Sequence, residues 1–253
     1  MSILNKNIFF ILQIRTGSTR LPGKMLMPFF NGKTIPEIII DRLIINGVAT
    51  ENIVIATTNS SQDDKLVELL KHKECKIYRG DENNVLKRFI DAATQFKTEF
   101  FFRICADNPF LNFKYIAEII KSIDLGKTDY ASHYLENNIP AIKTHFGLFC
   151  EYTNLKTLKI IAALTNSTTD LEHVTPFIYE HAELFNIQKL QIPDLLTKNK
   201  WLRLTIDTQE DFEMAQTVYK KSNSPENIEA LIQTAKSEGF KEMMQKAIEQ
   251  QSK

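Results

Sequence analysis

The N-terminal half of the chain alternates short, nearly continuous apolar runs with segments of helical spacing. The apolar run over residues 7–14 is typical of a strand buried on both faces. The spacing over residues 36–46 predicts a helix with Pro36 in its first turn and Gly47 just after its end. Further strands are predicted at 52–58, 75–80 and 99–105, and further helices at 62–73, 84–97 and 114–123. This alternation indicates an α/β fold with a mainly parallel sheet covered by helices on both faces.

The second half of the chain has a less regular pattern. Apolar and β-branched residues predict strands at 129–133, 144–152 and 201–206. Helical spacing extends over 154–165 and 172–182, with Pro176 interrupting the second segment. Two or three helices are expected after residue 206.

Composition and charge narrow the function classes. The chain has 253 residues, with 43% hydrophobic and 25% charged residues, which suits a single domain over residues 1–253. Its formal net charge is zero, so nothing requires a nucleic-acid partner. The apolar runs are too short to span a membrane. Three cysteines without a CxxC pair indicate free thiols, and we expect a cytoplasmic protein.

The segment RTGSTRLPGK, residues 15–24, directly follows the first predicted strand. It carries Arg15, Arg20 and Lys24 and no acid, while Gly17 and Gly23 allow the backbone to approach a ligand closely. Cations and backbone amides at the carboxyl end of a buried strand are suited to a polyphosphate. The alternative is a solvated surface turn. The spacing does not fit a P-loop, and no GxGxxG follows this strand.

Two carboxylates follow predicted strands and are candidate ligands for Mg²⁺. Asp107 comes after the run at 99–105, and Asp207 comes directly after 201–206. Mg²⁺ is commonly held by one or two carboxylates together with phosphate oxygens. Alternatively, Asp107 belongs to a simple turn and Asp207 caps a helix. Arg103 lies inside an apolar run and needs a buried partner, for which a carboxylate is the simplest choice.

The loop at 15–24, preceded by Gln13, resembles the signature loop of cytidylyltransferases of the spore coat polysaccharide and acylneuraminate (CMP-sugar synthetase) type. The likeness continues in family order and covers nearly the whole chain, through ATT (56–58), RGDENNVLKRF (79–89), ICADNP (104–109), LEHVTPFIYEH (171–181) and WLRLTIDTQEDFEMA (201–215). It departs from the pattern at Ala106, where many relatives have glycine. The resemblance implies a three-layer α/β/α Rossmann-like nucleotide-diphospho-sugar transferase fold. It also implies transfer of CMP from CTP to a sugar, with release of pyrophosphate.

The resemblance further implies roles for individual residues. Arg15, Arg20 and Lys24 would be catalytic contacts to the phosphates, and Asp107 and Asp207 would hold Mg²⁺. The nucleotide would also contact Gln13, Gly17, Ser18, Ala56, Thr57, Thr58, Arg79 and Gly80. Contacts to a sugar acid are expected from Glu151, Glu172 and His173, although Glu172 and His173 equally suit a dimer interface. Residues 130–200 would carry the sugar pocket and elements of a homodimer, such as Phe177 and Ile178.

Other functions remain open at this point. The same fold transfers GMP, UMP or dTMP to sugar 1-phosphates, and the residues do not decide the base. A catalytically silent nucleotide-sugar binding subunit is a second alternative. A glycosyltransferase is a weaker one, because those enzymes usually carry an Asp-x-Asp metal motif and none occurs in this sequence.

Overall fold

The computed structural model describes residues 8–251, so Asn7 of the first predicted strand lies outside the described residues. The strands are β1 (Ile8–Gln13), β2 (Pro28–Phe30), β3 (Lys33–Thr34), β4 (Ile53–Thr58), β5 (Lys76–Gly80), β6 (Phe100–Cys105), β7 (Tyr130–Tyr134), β8 (Glu151–Asn154) and β9 (Ile187–Gln191). The helices of the first half are α1 (Ile35–Ile45), α2 (Asp64–Leu70), α3 (Val85–Gln95) and α4 (Phe113–Ser122). Those of the second half are α5 (Leu155–Leu164), α6 (Thr168–His173), α7 (Pro176–Glu180), α8 (Asp194–Thr197), α9 (Gln209–Lys221), α10 (Ile228–Ser237) and α11 (Lys241–Gln251).

Within residues 8–251, seven strands form the central sheet in the order β5-β4-β1-β6-β8-β7-β9. The first four are parallel, so their carboxyl ends meet at one edge of the sheet. In the register, Leu12 of β1 faces Ile55 of β4 on one side and Ile104 of β6 on the other. β8 runs antiparallel to both β6 and β7, and β9 is parallel to β7. The prediction of a mainly parallel sheet is therefore confirmed.

Helices cover both faces of this sheet, which confirms the three-layer α/β/α architecture. Along β1, Phe10 and Leu12 point into one apolar cluster, and Phe9 and Ile11 point into the other. This is why the β1 sequence is almost continuously apolar. Residues of α1, α2, α4, α9 and α10 pack in the first cluster, and residues of α3, α5 and α7 pack in the second. Ile178, expected at a dimer interface, is fully buried in the second cluster.

Two predicted strands differ from the structure, and the helix predicted over 172–182 is divided into α6, which ends at His173, and α7, which begins at Pro176. Of the strand predicted at 144–152, only its last two residues belong to β8. The strand predicted at 201–206 is wrong, because this segment pairs with loops rather than with a strand. Leu204 donates its amide hydrogen to the carbonyl of His145 at 2.8 Å, and Ile206 donates to the carbonyl of Asp107 at 3.3 Å. The segment is nonetheless fully packed, since Leu202, Leu204 and Ile206 are buried.

Gly147 explains how segment 201–206 approaches so closely. Its φ of 64° lies in the left-handed region, and an added Cβ would lie 2.9 Å from the carbonyl carbon of Leu204. The close approach places Asp207 at the carboxyl edge of the sheet. Among the described residues, none of the helices is both long and apolar enough to cross a bilayer.

Candidate active site

A cavity of about 280 Å³ opens at the carboxyl ends of β1 and β6. Its wall contains the three predicted cations, Arg15, Arg20 and Lys24. It also contains Gln13, Gly17, Ser18, Asp107, Glu172 and Asp207. We call this space the central cavity. It gathers residues from four distant parts of the chain at the edge where α/β sheets bind ligands.

The loop at 15–24 is tied down through Thr16. The Thr16 amide and hydroxyl groups donate to Asp63 Oδ1 at 2.8 and 2.6 Å. The amides of Ser18 and Gly23 donate to the Thr16 carbonyl at 2.8 and 3.2 Å, which closes the loop on itself. Gly23, with φ of 72°, turns the chain into the short 3-10 helix Lys24–Leu26. The loop is therefore preorganised with its cations at the cavity wall.

Asp63 is the residue that joins this loop to the end of β4, and the sequence pattern did not reveal it. Its Oδ2 accepts hydrogen bonds from the hydroxyls of Thr57 at 2.8 Å and Thr58 at 2.5 Å. Burial by itself would raise the pKa of the Asp63 carboxyl, but the hydrogen bonds from Thr16, Thr58 and Thr57 hold it below its ordinary value. Asp63 is 1% exposed, so it is a buried, ionised anchor.

The residues predicted to contact the base and ribose lie outside the wall of the central cavity. Ala56, Thr57 and Thr58 are buried, and both threonine hydroxyls point to Asp63. Arg79 donates to the carbonyls of Thr58 at 2.9 Å and Ser60 at 2.8 Å. These side chains support the segment behind the loop, and their contact with a nucleotide stays a prediction.

Gly80, the last residue predicted to contact the nucleotide, lies against the buried side chain of Arg88. An added Cβ would lie 2.8 Å from Tyr78 and 3.0 Å from Arg88. Arg88 in turn donates to the carbonyl of Asp81 at 2.7 Å. Burial, and then the nearby charge of Arg15, lower the pKa of Arg88 to about 10. Gly80 therefore makes room for a cation that holds the loop after β5.

Asp107 and Asp207 are neighbours in space although 100 positions separate them. The Ile206 amide donates to the Asp107 carbonyl at 3.3 Å. The ammonium group of Lys24 donates to the Ile206 carbonyl at 2.6 Å and lies 3.7 Å from Asp107 Oδ2. Lys24 is 6% exposed, so a buried cation joins Asp107 to the residue that precedes Asp207. Both carboxylates face the central cavity, as the sequence predicts.

Two arginines hold the Asp207 carboxylate. Arg20 donates to Oδ1 at 2.7 Å, and Arg203 donates to Oδ2 at 2.9 Å. Arg203 also binds both oxygens of Asp211 at 2.7 Å, and this fork is buried. Burial alone would raise the pKa of Asp211, but Arg203 holds it below its ordinary value. No local pattern indicates this role for Arg203, which lies between two buried leucines, Leu202 and Leu204.

The oxygen donors of the central cavity suit Mg²⁺ only when phosphate oxygens of a bound ligand complete the coordination shell. Within residues 8–251, no group of three or more His, Cys, Asp or Glu side chains is arranged to hold a metal ion. Asp107 and Asp207 are two hard oxygen donors facing one space, with side-chain exposures of 33% and 18%. Mg²⁺ accepts one or two carboxylates when phosphate oxygens and water complete its shell. These two residues therefore fit the expected metal.

Cys105 also borders the central cavity. Burial raises the pKa of its thiol to about 11, so the thiol stays protonated near neutral pH. A protonated thiol is a poor nucleophile. Chemistry in this cavity therefore relies on its charged groups.

Two further cavities flank the central one. The β5-side cavity, about 450 Å³, is lined by Arg15, Glu172, Leu171 and Thr168 together with Asp81, Asn83 and Asn84. Arg15 lies 3.8 Å from both Glu82 and Glu172, across the boundary with the central cavity. Because Arg15 and Glu172 line both spaces, the two cavities are adjacent.

The β8-side cavity, about 290 Å³, lies on the other flank. Among its lining residues are Arg103, Lys143, Thr169, His173 and Tyr179. The guanidinium of Arg103 donates to Gln13 Oε1 at 2.9 Å, and Gln13 lines the central cavity. These contacts place the β8-side cavity directly beside the central one.

Glu151, predicted to contact the sugar, is the buried partner of Arg103. Arg103 donates to Glu151 Oε2 at 2.5 Å, and this pair confirms that Arg103 has a carboxylate partner. The hydroxyls of Tyr130 and Thr175 also donate to Glu151, which is 1% exposed. Glu151 thus lies behind the cavity wall and fixes Arg103. Its direct contact with a sugar stays a prediction.

Helix α6 borders all three cavities. Thr168, Leu171 and Glu172 lie on one face of the helix, and Thr169 and His173 lie on the adjacent face. The first set lines the β5-side cavity, and the second lines the β8-side cavity. The two residues predicted as sugar contacts, Glu172 and His173, therefore face different cavities.

The chain leaves α6 through a strained turn at Val174. Its φ of 73° and ψ of −49°, with the Thr175 amide donating to the His173 carbonyl at 2.9 Å, describe a γ-turn. Positive φ is rare for a β-branched residue and costs on the order of 1–3 kcal/mol. Val174 is fully buried, so packing holds the strain. The turn places the Thr175 hydroxyl where it donates to Glu151, while His173 faces the β8-side cavity.

Comparison with known proteins gives consistent results. A family model described as Cytidylyltransferase matches residues 9–251. The chain is 31% identical over 229 residues to the spore coat polysaccharide biosynthesis protein SpsF of Bacillus subtilis, covering 88% of this chain and 91% of that one. A solved cytidylyltransferase from Leptospira borgpetersenii superposes with a TM-score of 0.79 at 26% identity, covering 93% and 96% of the two chains. A CMP:2-keto-3-deoxy-manno-octonic acid synthetase complexed with CTP shares the fold, with a TM-score of 0.62 at 13% identity and 84% and 98% coverage.

Proposed function

Because this chain belongs to the cytidylyltransferase family, we propose that it transfers CMP from CTP to a hydroxyl group of a sugar acid and releases pyrophosphate. The observation that carries the proposal is the central cavity, where Arg15, Arg20 and Lys24 face Asp107 and Asp207. Three cations and the two aspartates around one space suit a triphosphate that arrives with a divalent cation. The synthetase of similar fold that was solved with CTP supports CTP as the donor and a sugar acid as the acceptor.

The cations of the loop bind and neutralise the phosphates. Arg20 is the most exposed of the three, with a side-chain exposure of 55%, and its partner Asp207 has a second hydrogen bond from Arg203. It can exchange Asp207 for a phosphate oxygen without leaving a buried charge unpaired. The hydrogen bond to the Ile206 carbonyl fixes the Lys24 side chain. Its ammonium group is therefore already in position when the triphosphate binds.

Asp107 and Asp207 would hold Mg²⁺ beside the triphosphate. The ion would supply charge neutralisation on the phosphate oxygens when bound. The protein's own contribution is to hold both carboxylates in place. Lys24 does this for Asp107, and Arg203 does it for Asp207.

In the transfer, an oxygen of the acceptor attacks the α-phosphorus of CTP in line with the leaving pyrophosphate. A new phosphorus–oxygen bond forms, the bond to the oxygen bridging the α and β phosphates breaks, and the hydroxyl proton passes to solvent. No covalent enzyme intermediate is needed. Positioning and preorganised charge supply most of the rate.

The test is pyrophosphate release from CTP, GTP, UTP and dTTP in parallel, each with Mg²⁺ and either 2-keto-3-deoxy-manno-octonic acid or mannose 1-phosphate. Release with CTP well above the other three supports the proposal. A preference for another triphosphate together with a sugar 1-phosphate would identify one of the alternative nucleotidyltransferases. Nucleotide binding without release would instead identify a silent binding subunit.

A further inference from the structure

The β8-side cavity contains polar groups that the nucleotide does not require. Lys143, Thr169, His173 and Tyr179 line it, and Arg103 joins it to the central cavity. We propose that this cavity binds the acceptor as a hydroxylated acid, and that Lys143 is the residue that recognises its acid group. The proposal rests on the proposed transfer of CMP and assigns the acceptor end of that reaction.

The position of the cavity supplies the first argument. Arg103 donates to Gln13 Oε1 through Nη2 at 2.9 Å and through Nε at 3.2 Å, so the two cavities share one hydrogen-bonded wall. A ligand hydroxyl in the β8-side cavity therefore lies next to the space in which the triphosphate binds. The β5-side cavity lies on the opposite flank, where Arg15 and Glu172 border it. The β5-side cavity is therefore the space left to bind the nucleoside part of CTP.

The charges around the cavity supply the second argument. The Arg103 guanidinium is already neutralised by Glu151 at 2.5 Å, so it is poorly placed to attract a second anion. The Lys143 ammonium lies 3.9 Å from Glu180, and both side chains are about half exposed. Such a long, solvated pair is weak and exchanges readily for a better anion. Lys143 is therefore the cation with charge available for a ligand.

The neighbours of Lys143 fit a sugar bearing that acid. The ammonium group lies 4.7 Å from the centre of the Tyr179 ring, which anchors the lysine beside an aromatic face. Thr169 and His173 face the cavity from α6, one turn apart, and offer hydroxyl and imidazole groups to ligand hydroxyls. The strained turn at Val174 keeps His173 at this wall, because Thr175 on its other side is bound to Glu151. The strained turn thus positions His173 for acceptor binding.

Two adjacent residues of α6 give a matched test. Thr169→Trp would fill the β8-side cavity, and Thr168→Trp would fill the β5-side cavity, while both positions are solvent-exposed and tolerate the change. For each variant we would measure the Kd of CTP by calorimetry and the acceptor KM by pyrophosphate release. Thr169→Trp should raise the acceptor KM and leave the Kd of CTP unchanged. Thr168→Trp should weaken the binding of CTP and so raise its Kd.

Lys143 is tested in the same assays with Lys143→Met and Lys143→Arg. Loss of one charged hydrogen bond predicts an acceptor KM raised about tenfold or more in Lys143→Met, with the Kd of CTP unchanged. Lys143→Arg should recover most of the loss. The acceptor probes are 2-keto-3-deoxy-manno-octonic acid, mannose 1-phosphate and mannose. They separate a carboxylate, a phosphate and a neutral sugar.

The outcomes distinguish this proposal from the proposed function. Turnover with 2-keto-3-deoxy-manno-octonic acid that depends on Lys143 supports the site and identifies a carboxylate as the acid group. Turnover with mannose 1-phosphate alone overturns it, because the phosphate oxygen would then be the attacking group and not the group bound by Lys143. Normal transfer of CMP with an acceptor KM unaffected by Thr169→Trp or Lys143→Met overturns the site and leaves the function standing. Equal turnover with mannose also overturns it. A wild-type protein that binds CTP but releases no pyrophosphate with any probe contradicts the function and the site together.

Discussion

The Lys24 ammonium group donates a 2.6 Å hydrogen bond to the carbonyl oxygen of Ile206. This contact joins the loop after β1 to the segment that precedes Asp207. Lys24 and Ile206 are 182 positions apart along the chain. Lys24 also lies 3.7 Å from Asp107, so one buried cation contacts one acid and the residue that precedes the other. The loop at residues 15–24 and the carboxylates therefore form one unit.

Replacing Lys24 tests that unit. Lys24→Met should cost on the order of 2–4 kcal/mol of transition-state stabilisation, by analogy with the loss of one preorganised charge. The reason is that the ammonium is held in place before the substrate binds. Steady-state pyrophosphate release measures kcat/KM, and Lys127→Met, at an exposed lysine, is the control. Near-normal kcat/KM in a folded Lys24→Met protein would contradict the assignment.

Asp107→Ala tests the predicted metal site. Turnover should fall on the order of 10²–10³-fold, and the Mg²⁺ concentration for half-maximal activity should rise. The variant removes one of the two aspartates in the cavity, while Lys24 keeps its hydrogen bond to the Ile206 carbonyl. A titration of activity against Mg²⁺ gives both values, and Asp124→Ala, at an exposed acid, serves as the control. Unchanged turnover and Mg²⁺ dependence would refute the role of Asp107.

Asp63 is expected to matter for stability, because it anchors Thr16, Thr57 and Thr58 at once. Asp63→Asn should lower the free energy of unfolding by about 2–3 kcal/mol, since an amide cannot accept all these hydrogen bonds. Urea unfolding measures the change. The neighbouring Asp64→Asn is a matched control, because Asp64 is largely exposed and forms only a surface pair with Arg79. Equal effects of the two variants would show that Asp63 is not an anchor.

The same residue predicts a pH dependence. The pKa of Asp63 is held below its ordinary value of 3.8, so its contribution to stability is present above that value. It is lost as the pH falls through the lower pKa of the folded state. The difference in unfolding free energy between wild type and Asp63→Asn should therefore be constant from pH 7 to about pH 5 and shrink in more acidic solution. Urea unfolding over this range checks it, and a difference that grows on acidification would be inconsistent with an ionised Asp63.

The strands and helices of the first half could be predicted because each has a plain local signal. In β1, neighbouring residues such as Phe10 and Ile11 enter opposite apolar clusters, so the run is continuously apolar. The hairpin of β2 and β3 was missed although Asn31 and Gly32, both with positive φ, form a recognisable turn pair. β9 was missed for a physical reason. It contains polar residues such as Gln188 and Lys189 in an exposed strand at the sheet edge.

Segment 201–206 shows where local pattern misleads. Its alternation of apolar and polar residues is that of a half-buried strand, and Leu202, Leu204 and Ile206 are indeed buried. Whether such a segment joins a sheet depends on which backbone lies beside it. Here it meets the loops at His145 and Asp107, which no local pattern specifies.

The candidate site was partly predictable. The loop cations and the two aspartates each follow a buried segment, so their convergence in the central cavity could be inferred from topology. Asp63 and Arg203 could not be inferred, because their roles come from long-range partners. The separation of Glu172 and His173 into different cavities depends on the rotation of α6 and the strained turn at Val174. Helical spacing alone predicts neither the rotation of α6 nor the turn at Val174.

The most direct test of the central claim is phosphorus NMR of CTP incubated with the protein, Mg²⁺ and 2-keto-3-deoxy-manno-octonic acid. Attack at the α-phosphorus predicts that pyrophosphate and a CMP phosphodiester appear in equal amounts as CTP disappears. Release of orthophosphate with CDP would place the cleavage between the wrong phosphates and contradict the account.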